Sequence, residues 1–121
     1  MLRPYSVQNA TPIQLSEPKI DRKAEVHPHE DDVFLVLEGT VEFTVGGKLA
    51  DPVNPSSNPS DPTITSPSIL DGKKYVLSPG NMDSIHIPAG VPHQWRTEGP
   101  VSMIVIKLPA PEGRVDFPHD R

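Results

Sequence analysis

The chain has 121 residues, among them 16 prolines, 8 glycines and no cysteine, which is the size of about one domain. Without cysteine there is no disulfide, no thiolate nucleophile and no cysteine-bound metal, so any metal must be held by imidazole and carboxylate groups. The net charge of −5 argues against nucleic acid as a partner, and no apolar run approaches the roughly 18 residues that span a bilayer, so we expect a cytoplasmic protein.

The proline content disfavours long helices, and no window shows a helical apolar stripe with caps, so the sequence predicts an all-β domain. Residues 1–22 and 109–121 are rich in proline and are expected to be an N-terminal arm and a C-terminal tail. The domain itself is expected over residues 23–108.

Short apolar runs bounded by Gly, Pro, Asp or Asn indicate the strands. The run at 33–37 is continuously apolar and predicts a strand buried on both faces, whereas 40–45 alternates apolar and polar residues, as a half-buried strand does. Gly39 marks the turn between these two strands. Further strands are predicted at 74–77, Ser84–Ile87, 93–96 and 101–108.

Residues 51–68 hold five prolines and almost no large apolar side chain, so they cannot form a central strand. The sequence predicts a loop here, inserted into the domain. Loops of this length are uncommon in compact domains. Two interpretations stay open: a tolerated surface insertion, or a lid or dimer-contact arm.

Glutamate, aspartate and histidine are concentrated in the segment EVHPHEDD, residues 25–32. Residues two apart on a strand point to the same face, so Glu25, His27 and His29 are candidates to project inward together, with Asp32 following after a turn. Imidazole combined with carboxylate suits divalent Fe, Mn, Ni, Cu or Zn. The segment therefore predicts part of a metal site.

The segment HPHEDDVFLVLEG, residues 27–39, and a second block IPAGVPH, residues 87–93, resemble the two conserved motifs of small single-domain cupins. In that family the first motif is His-x-His, three or four residues, Glu, six residues and Gly. The second is Gly, five residues, Pro-x-Gly, two residues and His. The resemblance implies a small jelly-roll β-barrel with one divalent ion, but it does not select a reaction.

The resemblance places Asp32 at the family's Glu position and His93 at its last ligand, but it leaves two registers for the first two ligands. Either His27 and His29 are the His-x-His pair, one residue too close to Asp32, or His27 is the second histidine and Glu25 replaces the first. Proline is disfavoured inside a central strand, so Pro28 fits better in a turn. This favours Glu25, His27, Asp32 and His93, with His29 as the alternative to Glu25.

The second block departs from the family pattern, because seven residues rather than five separate Gly80 from Pro88. The turn there is expected to be longer. His29 and His86 are the candidate acid–base groups, and Trp95 and Phe34 are candidates for the wall of a substrate pocket.

The leading functional hypothesis is a metal-dependent enzyme of dioxygenase, isomerase or lyase type, acting on a small oxygenated or carbonyl-bearing molecule with Fe, Mn, Zn or Ni. The alternatives are a non-catalytic module that binds a small ligand, and a metal-free isomerase or dehydratase with His29 as its base. The resemblance also implies a homodimer in which N-terminal strands are exchanged or paired, for which 7–15 is the candidate segment.

Overall fold

The computed structural model describes residues 10–54 and 62–110. Within these ranges all regular structure is β, which confirms the all-β prediction, and no helix there is long and apolar enough to cross a membrane. The strands are β1 (Ala10–Leu15), β2 (Ile20–Asp21), β3 (Ala24–Val26), β4 (Glu30–Glu38), β5 (Val41–Val45), β6 (Lys48–Leu49), β7 (Ile64–Ser66), β8 (Ile69–Leu70), β9 (Lys73–Leu77), β10 (Ser84–Ile87), β11 (His93–Thr97) and β12 (Val101–Pro109).

The strands form two main antiparallel sheets and a small two-stranded sheet. One sheet has the order β1-β12-β4-β10, and the other has the order β7-β3-β11-β5-β9, with β2 also paired to β11. The third sheet consists of β6 and β8. Neighbours in the two main sheets are often distant in sequence, so the chain crosses repeatedly between them, as in a jelly roll.

The hydrophobic core lies between the two main sheets. The four-stranded sheet contributes Phe34 and Met103, and the other sheet contributes Phe43 and Leu77. The rings of Phe34 and Phe43 meet across the core with centroids 4.9 Å apart. Inward side chains alternate with outward ones, as the period of two in a strand requires.

Strand β4 corrects the interpretation of residues 33–37. It is longer, because it begins at Glu30, three residues before the predicted start at residue 33. It also alternates: Phe34 and Val36 are buried, whereas Leu37 is 46% exposed. The strand is therefore not buried on both faces. The other predicted strands, including Ser84–Ile87, are present with shifts of one residue at some ends.

The N-terminal region contains more structure than an arm. Strand β1 pairs with β12 of the same chain and β2 pairs with β11, so both belong to the sheets. Of the segment 7–15, residues 7–9 lie outside the described residues, as do 1–6 and 111–121.

The segment 51–68 is not a loop throughout, which corrects the prediction. Its residues Ile64–Ser66 form β7, which pairs with β3, and Val53 bridges to Thr65. This strand lies at the edge of its sheet, where proline-rich sequence is tolerated, so the exclusion of a central strand holds. Residues 55–61, where a lid would lie, are outside the described residues.

The turn between β4 and β5 depends on Gly39. Its φ is +83°, and a Cβ there would meet Val101 Cγ1 at 2.8 Å and the carbonyl oxygen of Pro100 at closer range. We expect Gly39→Ala to destabilise the protein by about 2 kcal/mol or more, because strain and collision add. Gly46→Ala is the matched control: its φ is +89°, but a Cβ there would have no atom of the described residues within 4 Å, so only the backbone cost of about 1 kcal/mol applies. Equal losses for the two variants in urea unfolding would contradict this account.

Candidate metal centre

Four of the sequence-predicted residues come together between the two sheets. His93 opens β11 and pairs in register with Glu25 of β3, on the six-stranded sheet. His27 follows directly after β3, ahead of a turn at Pro28 and His29. Asp32 lies on β4 of the opposite sheet. Asp32 and His93, which are 61 positions apart in the sequence, thus share one small region because of the strand crossings.

The two imidazoles converge on one carboxylate oxygen. Nε2 of His27 and Nε2 of His93 each lie 3.4 Å from Oδ2 of Asp32, and the ring centroids are 5.1 Å apart. Oε1 of Glu25 lies 3.8 Å from Nε2 of His27. One ligand atom each from Glu25, His27 and His93 lies within 4.8 Å of the others. Such spacing is compatible with shared ligation of one ion.

Most of the polar side chains in this cluster are buried. The side chain of Asp32 is 1% exposed, that of His93 5% and that of His27 11%, whereas that of Glu25 is 39% exposed. Nε2 of His27 and Oδ2 of Asp32 are buried without a hydrogen-bond partner in the described part of the chain. Buried polar atoms are normally satisfied, so these two point to a group that would bind between them. The donor set of imidazole and carboxylate fits a divalent metal ion.

The second sequence block, residues 87–93, contacts the residues that carry and flank the two histidines. The amide of Ala89 donates to Oδ1 of Asp31 (2.8 Å), and the amide of Gly90 donates to the carbonyl of His27 (3.0 Å). The carbonyl of Val91 lies 3.0 Å from Nδ1 of His93. These contacts tie the turn before β11 to β4 and to the residue that follows β3.

Contacts on the far side of each ring orient the histidines. Donation from Nδ1 of His93 to the Val91 carbonyl leaves Nε2 as the free base that faces Asp32. Nδ1 of His27 lies 3.2 Å from Oγ1 of Thr63, and the hydroxyl can accept that proton in the same way. A hydrogen bond at the second ring nitrogen is the usual support for a metal-binding histidine.

The environment shifts the protonation of two of these groups. Burial lowers the pKa of His27 below its usual 6.5, and the charge of Lys107 acts in the same direction. Burial by itself would raise the pKa of Asp32, but contacts with His93 and Lys107 outweigh it, and the pKa is below its usual 3.8. A neutral imidazole and an ionised carboxylate are the forms that bind a metal.

We expect the metal-free protein to lose stability as the pH falls below about 6.5. In the unfolded chain His27 is protonated at its usual pKa, whereas in the folded state its pKa is lower. Between these two pKa values the unfolded state therefore binds more protons at His27 than the folded state does. Asp32 adds stability above about pH 3.8 that is lost as the pH falls through its lowered folded pKa. Urea unfolding at about pH 7.5 and about pH 5.5 in EDTA measures the first effect. If His27→Gln kept the same pH dependence, the assignment to His27 would be wrong.

Sequence reasoning missed Lys107. This residue lies on β12 directly opposite Asp32, and its Nζ is 3.0 Å from Oδ1 of that carboxylate. Its side chain is 35% exposed. Lys107 shares the inward face of β12 with the core residues Met103 and Val105. Its position two residues after Val105 predicts that it shares the inward face of the strand. The sequence does not reveal which face is inward, because Ile104 and Ile106 on the other face are also apolar.

The two histidines predicted as acid–base groups are not among the clustered ligand atoms. His29 is exposed on the turn after His27 and is not part of the cluster of ligand atoms. His86 is on the outward face of β10, where its side chain is 55% exposed and its Nε2 lies 2.9 Å from Oδ2 of Asp31. Asp31 and Asp32 are consecutive in β4 and point to opposite faces of the sheet. His86 contacts Asp31, so it lies on the face away from the cluster around Asp32.

Phe34 and Trp95 belong to the hydrophobic core, with 4% and 8% of their surfaces exposed. Neither lines the cavity of about 330 Å³ that borders His27, and their role in a substrate pocket stays a prediction. The guanidinium of Arg22 lies 5.4 Å from the centroid of the Trp95 ring. Besides His27, the cavity is lined by Pro28, His29, Glu30, Pro62, Thr63 and Pro109.

No protein-family model matches the chain, and no curated protein is similar to it. Among solved structures it is similar to hydroquinone 1,2-dioxygenase PnpCD in complex with Cd²⁺ and 4-hydroxybenzonitrile, at 18% sequence identity and a TM-score of 0.53. The similarity covers 84% of this chain and 58% of that one, so the chain spans less than two thirds of the dioxygenase's length. At this identity the similarity shows the fold alone. The fold is a cupin-like β-barrel, as the two sequence blocks predicted.

Proposed function

We propose that the chain is a metal-dependent enzyme acting on a small oxygenated or carbonyl-bearing molecule, by dioxygenase, isomerase or lyase chemistry. The observation that carries the proposal is the convergence of two imidazole nitrogens on Oδ2 of Asp32 in a buried region. Among the residues that the structure describes, Oδ2 of Asp32 and Nε2 of His27 have no hydrogen-bond partner. A bound divalent ion would satisfy these atoms. Such an ion supplies a Lewis acid for substrate oxygens or, if redox-active, a site for dioxygen.

We assign the ion to His27, Asp32 and His93, with Glu25 as the fourth ligand in preference to His29. Glu25 is supported by its register opposite His93 and by the 3.8 Å between its Oε1 and Nε2 of His27. Two imidazoles and two carboxylates make an oxygen-rich site, which suits Fe, Mn, Zn or Ni better than copper.

The chain itself would provide binding, orientation and proton transfer. The cavity beside His27 is lined by three prolines and by the exposed imidazole of His29, so a substrate bound there meets a side chain that can accept or donate a proton. We therefore propose His29 as the acid–base group. His86 is less suited, since it is paired with Asp31 on the outer face.

Turnover by protein loaded separately with Fe(II), Mn(II), Zn(II) and Ni(II) tests the proposal. A panel of small enols, hydroxylated aromatics and 2-oxo acids would be followed by oxygen uptake and by NMR of the products. We expect turnover with at least one ion, its loss with a chelator, and a lower rate in His29→Ala than in the control His86→Ala. Ligand binding without turnover would favour a non-catalytic module, and turnover that survives the chelator would favour a metal-free isomerase or dehydratase.

We also propose that two copies associate through the outer face of the four-stranded sheet. That face carries Leu35 and Ile104, which pair in register, together with Leu37, 46% exposed, and Leu108, 42% exposed. Contiguous apolar surface of this kind marks interaction sites. Light scattering should give twice the chain mass of 13.2 kDa. Ile104→Glu is expected to give monomers, unlike the control Val76→Glu on the other sheet, and a monomeric parent protein would refute the proposal.

A further inference from the structure

Lys107 places a positive charge inside the candidate metal centre. Its Nζ lies 3.0 Å from Oδ1 of Asp32, while Oδ2 of the same carboxylate faces the two imidazoles. The backbone fixes this arrangement, because residues 107 and 32 are direct partners on adjacent strands. The ammonium thus occupies one oxygen of Asp32 and leaves the other for a ligand bound between the histidines.

The charge of the centre follows from this contact. Two carboxylates offset a divalent ion, and neutral imidazoles add nothing, so a centre built from Glu25, Asp32, His27 and His93 would be neutral once loaded. The Lys107 ammonium leaves it with one net positive charge. A centre with three imidazoles and one carboxylate would carry the same charge without a lysine. Lys107 therefore compensates for the second carboxylate that Glu25 introduces.

We propose that Lys107 makes the metal-loaded centre selective for an anionic oxygen ligand, such as a carboxylate, an enolate or a phenolate. This deepens the proposed function and rests on it. An anion that binds the ion would lie near the ammonium that contacts Asp32, at the edge of a buried region where a charge interaction is stronger than in water. The side chain is 35% exposed, so solvent and salt weaken the effect without removing it.

Ligand titrations of the Co(II)-loaded protein test this inference by visible absorption. Azide serves as the anionic probe and imidazole as the neutral probe, in wild type and in Lys107→Met. At low salt we expect Lys107→Met to bind azide about tenfold more weakly, with its affinity for imidazole changed by less than about twofold. Lys107→Arg keeps the charge and should bind azide as wild type does. Lys48→Met, on the exposed strand β6, is the matched control and should change neither affinity.

The outcomes separate this inference from the proposed metal site. Wild type that binds Co(II), with equal azide affinity in wild type and Lys107→Met, overturns the role of Lys107 and leaves the metal site intact. Equal weakening of azide and imidazole binding also overturns it, because it indicates structural damage instead of a charge effect. Wild type that binds no Co(II) overturns both. If Lys107→Met fails to fold, Lys107→Gln and the salt dependence of azide binding by wild type provide the same test: azide affinity insensitive to both refutes the proposal.

Discussion

Asp32→Asn is expected to weaken the binding of Co(II) or Zn(II) by more than about a hundredfold. Loss of a residue that only hydrogen-bonds to a metal ligand lowers metal affinity by up to about a hundredfold, and loss of a ligand should cost more. The substitution keeps the shape of the side chain but removes the charge at the point where two imidazole nitrogens meet, 3.4 Å from each. It also leaves the ammonium of Lys107 beside the ion without its counter-charge. Both changes disfavour a cation. Calorimetric titration at fixed pH measures the affinity.

Asp31→Asn is the matched control, because Asp31 is the neighbouring buried carboxylate but its oxygens face Ala89 N and His86 Nε2. Its effect on metal affinity should stay within about tenfold, since it acts only by supporting the turn before His93. Equal losses of metal affinity in the two variants would show that the affinity depends on the total negative charge near the site and not on the position of Asp32.

Phe43→Ala is expected to lower the free energy of unfolding by about 3 to 5 kcal/mol. Phe43 is fully buried on β5, and its ring packs on Phe34 of the opposite sheet. Removing the ring loses buried apolar area and leaves a cavity between two sheets whose hydrogen-bonded strands limit their collapse.

Urea unfolding of Phe43→Ala, compared with Val76→Ala, measures this effect. Val76 is on the same sheet but 49% exposed, so its truncation should change stability by less than about 0.5 kcal/mol. A loss below about 1 kcal/mol for Phe43→Ala would mean that the two sheets do not enclose the core as described.

The strands with one apolar and one polar face were predictable from the sequence. Val41, Phe43 and Val45 alternate with polar residues, and the structure places this strand with Val41 and Phe43 buried. Strand β4 was interpreted wrongly because its outer face is apolar as well. Val33 and Leu35 are apolar although they lie on the outer face, so the sequence predicted a strand buried on both faces.

The site was predictable only where residues are close in sequence or belong to the two blocks. His27, Asp32 and His93 came from that pattern, and the turn position of Pro28 followed from its missing amide proton. Lys107 and Thr63 reach the site through strand register and through the segment after the proline-rich stretch, which short-range patterns do not encode. A shift of one residue in register would turn Lys107 outward, so its contact with Asp32 could be recognised only from the three-dimensional structure.

Metal content of purified protein after loading tests the central claim most directly, by plasma mass spectrometry of wild type, His93→Ala, Glu25→Ala and His29→Ala. We predict about one equivalent of a divalent ion in wild type and in His29→Ala, less in Glu25→Ala, and almost none in His93→Ala. Wild type without metal, or His93→Ala with as much metal as wild type, would contradict the assignment of a metal centre to these residues.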